Sequence, residues 1–372
     1  MNGAQNEANS QPQCQGIWIR ESGEATRQHL RALLRDLAIE AQVEMRDETA
    51  GICLRLTPQA QRQLAPACDT LQLCTSLRLT PHADLDKEIM LALLASPVAF
   101  EYPDHAELVA AIRMRRYIVE AARRTALDFH TTRIERPEDY WTYTEDSGFT
   151  VLPGKPLIEA LRKATQPEVS GRRYAFSCYR ASEYVMLLGI AQELATSNPA
   201  LLEQLQRYWE RQAIQSRRFH DAFMREYGSM EQPLPMAYYV PGDRLWFRNP
   251  DERSSDVSGY EGSWVIYLGS GLFTNFWKCE QPFSLTEKCI EIYHWRHGVF
   301  EDENGELQMD ERIVEAHVQE TLRNPAETAH ILQRMLRLRD PSGSYAEGGC
   351  IDTTRECPRW VCAGTTDIVL PG

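Results

Sequence analysis

The apolar period changes once in the main body of this chain. Over Glu107–Arg124 and again after Cys178 hydrophobic residues recur at three- and four-residue intervals, with a strand-like aromatic segment at Asp139–Thr144 between them, and from Met236 onward they alternate in twos. Over Glu107–Arg124, Leu108, Ala111, Ile112, Val119 and Ala122 fall on one stripe, which predicts an amphipathic helix. After Cys178, the residues Ala181, Tyr184, Val185, Leu188 and Ala191 do the same, and Pro199–Tyr227 reads as a further long helix. Beyond the change, Arg244–Phe247, Trp264–Leu268, Leu272–Trp277, Ile290–His294 and Gly298–Phe300 read as strands, with a hairpin turn at Gly269-Ser270-Gly271. Helices at about 310–323 and 325–338 follow. Helices succeeded by strands specify an α+β chain.

The 85 residues before this body carry their own pattern. Residues 1–15 are polar and read as disordered. Gly16–Ile19 is strand-like, Glu24–Ile39 carries Leu30, Leu33, Leu34 and Leu37 at helical spacing, and 41–45 and 51–56 are short strands. Pro58–Leu64 follows as a helix with proline in its first turn, and Leu71–Leu79 as a last strand. The order β-α-β-β-α-β predicts a small ferredoxin-like α/β module over 16–85, with an interaction or capping role. The main domain then spans 86–340, and 341–372 reads as an irregular tail.

Charge and cysteine usage narrow the function classes. Asp plus Glu number 53 against 40 Lys plus Arg, a formal charge of −13, so the counterion release that drives general nucleic-acid binding is missing. No apolar run reaches the roughly 18 residues a bilayer span requires, and the N-terminus lacks a secretory apolar core. A cytoplasmic location without a membrane or nucleic-acid partner is expected, with export by another route left open. The ten cysteines are scattered and read as reduced thiols. Cys350, Cys357 and Cys362 share the tail without CxxC or His spacing, so no metal site is expected there.

Cys178 stands out because it begins a helix. First-turn N–H groups and the helix dipole favour a thiolate there, and the same N–H groups can receive the oxyanion of an attacked amide. A nucleophile on a helix, with strands bearing a base later in the chain, is the papain-like order. The plain alternative is a core cysteine in an apolar stretch. Arg115 falls on the apolar stripe of its helix, so it needs a buried carboxylate. Asp243, in the Pro241-Gly242-Asp243 turn, reads as a turn former bonding its own backbone.

Tyr174-Ala175-Phe176-Ser177-Cys178 resembles the nucleophile segment of the small bacterial protein-glutamine gamma-glutamyltransferases, the spore-coat transglutaminases, which reads Tyr-Ala-Phe-Glu-Cys-Ala. Ser96-Pro97-Val98-Ala99-Phe100-Glu101-Tyr102 resembles that family's opening segment, and Tyr140-Trp141 its Tyr-Trp strand. Gly242-Asp243-Arg244-Leu245-Trp246-Phe247-Arg248-Asn249-Pro250 is similar to its Gly-Asp-Cys-Leu-Tyr-Phe-Lys-Asn-Pro motif. Gly262-Ser263-Trp264-Val265-Ile266-Tyr267-Leu268-Gly269 resembles its Gly-Glu-Asn-Val-Ile-x-Leu-Gly strand. Together these motifs cover about residues 90–280.

The resemblance implies a papain-like core related to the NlpC/P60 hydrolases. It also implies attack of the Cys178 thiolate on a glutamine carboxamide, loss of ammonia, and acyl transfer to a lysine or other amine, without metal or organic cofactor. The partner is then a protein or peptide carrying glutamine. Three positions depart from the family. Its two glutamates are matched by Ser177 and Ser263, and its later histidine by Asn275. Serine has no basic site of suitable pKa. Glu261 could replace the missing carboxylate, because residues two apart in a strand share a face. His294 or His297 could supply an imidazole instead, whereas Glu183 lies more than one turn into the helix. Ser177, Ser263, Trp264 and Asn275 are then substrate-pocket candidates.

Aromatic residues are dense on the expected strands (Trp246, Trp264, Phe273, Phe276, Trp277, Tyr293 and Trp295), where they line a peptide groove or fill a sheet core. The leading expectation is cysteine-dependent acyl transfer at protein glutamine, or deamidation when water is the acceptor. The alternative is a non-catalytic protein-binding module on the same scaffold, which the lost carboxylates favour.

Overall fold

The computed structural model describes residues 15–130, 135–340 and 348–371. The disorder expected for 1–15 therefore lies, apart from Gln15, outside the described residues. The first elements follow the sequence pattern: β1 (Ile17–Ile19), α1 (Glu24–Asp36), β2 (Val43–Glu48) and β3 (Gly51–Leu56). Leu71–Leu79 does not become the fourth strand. Leu73–Leu77 is a short helix whose Leu73 and Cys74 are buried. After helix α2 (Leu85–Leu94) comes β4 (Phe100–Tyr102), and it takes the free edge of β1 in parallel, Ile17 opposite Phe100 and Ile19 opposite Tyr102.

The first sheet has the order β2-β3-β1-β4. Its last strand comes from beyond residue 85 and runs parallel to β1, so 16–85 is not a closed ferredoxin-like module. Thr70 and Tyr239 also bond across the expected boundary, Thr70 Oγ1 donating to the Tyr239 carbonyl at 2.6 Å. The Tyr238 hydroxyl donates to the Ala92 carbonyl at 3.1 Å. One apolar core runs from Ile17 in β1 to Ile368 near the C-terminus.

The long amphipathic helix is α3 (His105–Arg124), opened by Asp104, whose side chain accepts the Glu107 N–H at 2.8 Å. It lies against α4 (Cys178–Ser197). The two backbones come close where Ile118 meets Gly189; a Cβ there would stand 2.3 Å from Ile118 Cγ1. Buried Arg115 finds its carboxylate in Asp243, Nη1 to Oδ1 at 2.8 Å. Asp243 also accepts the Val240 N–H at 2.7 Å, the turn bond expected of it, and the Tyr227 hydroxyl.

Pro199–Tyr227 divides into a helix at Pro199–Trp209, a second at Arg217–Phe223 and strand β5 (Met224–Tyr227). The main sheet adds β6 (Arg244–Arg248), β7 (Gly262–Gly269), β8 (Leu272–Phe273) and β9 (Phe283–Ser284). The segment expected as strand Ile290–His294 is helical instead, inside α5 (Leu285–Gly298). Ser284 and Glu287 form a capping box at its start, and this local geometry overrides the alternation of Ile290 and Ile292. Helices α6 (Glu311–Leu322) and α7 (Pro325–Met335) follow as expected.

The tail is not irregular throughout. Its strand β10 (Arg355–Pro358) lies inside the six-stranded antiparallel sheet, whose order is β9-β8-β7-β6-β10-β5. Polar residues hide it from a period-two reading: Arg355 is buried and donates to the Asp352 and Thr354 carbonyls at 2.8 and 2.7 Å. Alternate residues of β7 serve opposite faces. Ile266 and Leu268 join the core containing α3 and α4, and Val265 and Tyr267 join a second core with α5 and α7. No helix among the described residues is long and apolar enough to cross a membrane.

Candidate active site

A short strand, Ala175–Phe176, pairs in parallel with Asp128–Phe129 and delivers the chain to the start of α4. Ser177 caps that helix, its hydroxyl accepting the Arg180 N–H at 3.4 Å, and Cys178 is the first helical residue. The backbone N–H groups of Trp264 and Tyr179 act on the sulfur in the direction that favours its charged form. Trp264 can spare its N–H because β8 pairs with β7 only from Tyr267 onward.

Cys178 is half-buried by surface area, yet crowding around the thiol governs its acidity. Burial pushes the thiol above its ordinary value; the Trp264 N–H, the Lys288 charge and the Tyr179 N–H pull it down, and the Glu261 charge adds to the rise. The net direction is upward, opposite to what the helix position alone implies, because desolvation of a thiolate outweighs two N–H bonds and a cation here.

Two cavities meet at Cys178. The first is lined by Cys178 together with Phe129, Ser263, Asn275, Lys288 and Trp295 among others. The second is lined by Cys178, Ser177, Tyr179, Trp246, Glu261 and Trp264 among others. Ser263 lines only the first of these cavities and Glu261 only the second. The shared face expected for them fails because β7 begins only at Gly262, leaving Glu261 outside the regular strand. Glu261 is exposed, and its carboxylate accepts the Gly259 N–H at 3.2 Å.

His294 and His297 lie on α5, not on a strand, and line neither cavity. They are not placed to act on Cys178. Glu183 is held by the Ser216 N–H at 2.7 Å and Arg180 at 2.6 Å, and it lines neither cavity. Asn275 borders the first cavity as a turn former, its Oδ1 accepting the Lys278 N–H at 3.1 Å. The aromatic set divides. Trp277 and Trp295 line the first cavity and Trp246 and Trp264 the second, while Phe273 and Phe276 are core.

Lys288, Glu291 and Arg244 escaped the sequence reading. Lys288 is buried in the cavity wall; its Nζ lies 2.6 Å from Glu291 Oε2, 3.4 Å from Ser263 Oγ and 3.7 Å from the Phe283 ring centre. The capping box Ser284-Leu285-Thr286-Glu287 was the signal that could have found it, since a helix there turns Lys288 and Glu291 to one side. Arg244 lies over Trp264 at 4.1 Å and Tyr179 at 4.7 Å from the ring centres, and donates to Ser182 Oγ at 2.9 Å and Glu356 at 2.6 Å. It braces the two residues whose N–H groups meet the sulfur.

A sequence profile of the family described as protein-glutamine gamma-glutamyltransferase matches residues 69–350. The protein-glutamine gamma-glutamyltransferase of Bacillus licheniformis is 23% identical over 195 residues, covering 50% of this chain and 71% of that relative. Among solved structures, a transglutaminase from Geobacillus stearothermophilus lacking its C-terminal extension matches with 19% identity and a TM-score of 0.39, over 58% of this chain and 98% of the other.

Proposed function

The chain belongs to the protein-glutamine gamma-glutamyltransferase family, and from that premise we propose that it is an acyltransferase acting on protein glutamine side chains through Cys178. One observation carries the reading: Cys178 stands at a helix start and lines two cavities. Glutamine can approach from one side and the acceptor amine from the other.

In this mechanism Glu261 takes the Cys178 proton through the second cavity as sulfur attacks the carboxamide carbon. A carbon–sulfur bond forms and the carbonyl electron pair moves to oxygen, which backbone N–H groups at the helix start receive. The carbon–nitrogen bond then breaks and nitrogen leaves as ammonia, taking the proton from Glu261. A lysine amine attacks the thioester and gives its proton to Glu261, and the thiolate departs. Water in place of the amine yields glutamate. Lys288, anchored by Glu291, supplies a positive charge that favours the thiolate.

Incorporation of a fluorescent amine into a glutamine-rich protein, with ammonia release measured in parallel, tests this. Wild type should perform at least one of the two reactions and Cys178→Ala neither. Inertness of the wild type towards amine and water over a broad substrate panel overturns the proposal. One observation favours a second reading, a protein-binding module: Ser263, at the family's carboxylate position, is engaged by Lys288.

A further inference from the structure

Away from Cys178, three imidazoles converge between α5 and α6. His294 and His297 lie one turn apart on α5, and His317 faces them from α6. Each offers a ring nitrogen, and the three atoms lie within 4.8 Å of one another. His294 Nδ1 is 3.0 Å from His297 Nδ1. The His317 ring stacks on His294 at 5.4 Å and leans on His297 at 4.6 Å between centres.

The closest pair, His294 and His297, stands near the separation that a shared ion imposes. Nitrogens each about 2.0–2.1 Å from a tetrahedral zinc stand about 3.3 Å apart. The other nitrogen of His294, Nε2, lies 2.8 Å from Thr321 Oγ1, the outer hydrogen bond that fixes the ring orientation of a metal-bound histidine. The charges around His297 are Arg296 on its own helix and the carboxylates of Asp251 and Glu327 from packed segments.

We propose that His294, His297 and His317 form a binding site for a divalent transition ion of the zinc type, with a fourth position open to water. Imidazole donors suit zinc, copper and nickel, and disfavour magnesium and calcium. The ion would tie α5 to α6. Those helices carry Lys288, Glu291 and Trp295, and Val314, Glu315 and Val318, into the first cavity beside Cys178. The site would therefore fix the wall of that cavity without touching the sulfur, and it stands whether or not the chain is catalytic.

Full-length protein stripped with a chelator is titrated with Zn(II) alone in equilibrium dialysis, and thermal unfolding is followed with and without the ion. Wild type and Cys178→Ala should each bind one equivalent more than His317→Gln or exposed His297→Gln. Saturation at about 100 times the Kd should raise their Tm by several degrees, and the histidine variants should lack that rise. Co(II) should show the visible bands of a nitrogen-ligated low-coordinate site without a thiolate charge-transfer band. The metal-free Tm of each variant checks that it folds. Equal uptake and equal Tm rise in wild type and the histidine variants would overturn the proposal, as would no uptake by wild type; the 3.0 Å contact is then an imidazole–imidazole hydrogen bond.

Discussion

Lys288 points its ammonium at Ser263, Nζ to Oγ at 3.4 Å, in the wall of a cavity that Cys178 also lines. That buried cation, paired with Glu291 at 2.6 Å, faces a hydroxyl. That cation favours a Cys178 thiolate that burial otherwise opposes.

Iodoacetamide labelling of Cys178, followed by mass spectrometry across pH, should therefore climb through a midpoint above the ordinary thiol value. Lys288→Met removes the favourable charge and should move the midpoint further up, lowering labelling at pH 7 by about tenfold. An unchanged midpoint would make Lys288 a packing residue only.

Amine incorporation should fall by about 10²–10⁴ in Glu261→Gln if this carboxylate carries protons for Cys178. Ser263→Glu should leave such an enzyme little changed, because its new charge meets Lys288 in the first cavity, which Glu261 does not line. Full activity in Glu261→Gln would move the proton carrier to the first cavity, since His294 and His297 line neither cavity.

Asp243→Asn should destabilise the protein by about 3–5 kcal/mol in urea unfolding, because it leaves the buried Arg115 guanidinium uncompensated. Asp139→Asn, at the more exposed Lys163 pair, should cost less than about 1 kcal/mol. Similar losses in both would show that water reaches Arg115.

Glu88 is buried beneath the hairpin turn, accepting the Ser270 N–H at 2.6 Å, and burial raises its carboxyl from 4.5 to about 7. The folded state then binds a proton that the unfolded state has lost between those values, so this group's contribution to stability falls as pH rises from 4.5 to 7. Glu88→Gln keeps an acceptor without the charge. It should flatten that slope and gain roughly 3 kcal/mol at pH 8 in denaturant titrations. A parallel pH profile in the variant would refute the assignment.

A chain ending at residue 350 should lose cooperative thermal unfolding, since β10 sits between β6 and β5 and its removal leaves both edges open. A sharp melt for the truncated chain would mean that the two strands pair without it.

What the sequence determined by itself rests on short-range physics. The apolar stripe and the hydroxyl cap of Ser177 place Cys178 at a helix start, and a guanidinium on an apolar stripe requires the carboxylate that Asp243 supplies. Each follows from neighbours within a turn or from the cost of burying a charge. Tertiary structure decided the rest. Phe100–Tyr102 completes the first sheet, Arg355–Pro358 enters the second, and Lys288 faces Ser263 only because α5 lies against β7. Those pairings join residues far apart in the chain: Arg355 pairs with Tyr227, 128 positions away, and Pro358 with Met224, 134 away. The energy that fixes them is the mutual burial and hydrogen bonding of groups that meet only in the folded chain, so no local period announces them.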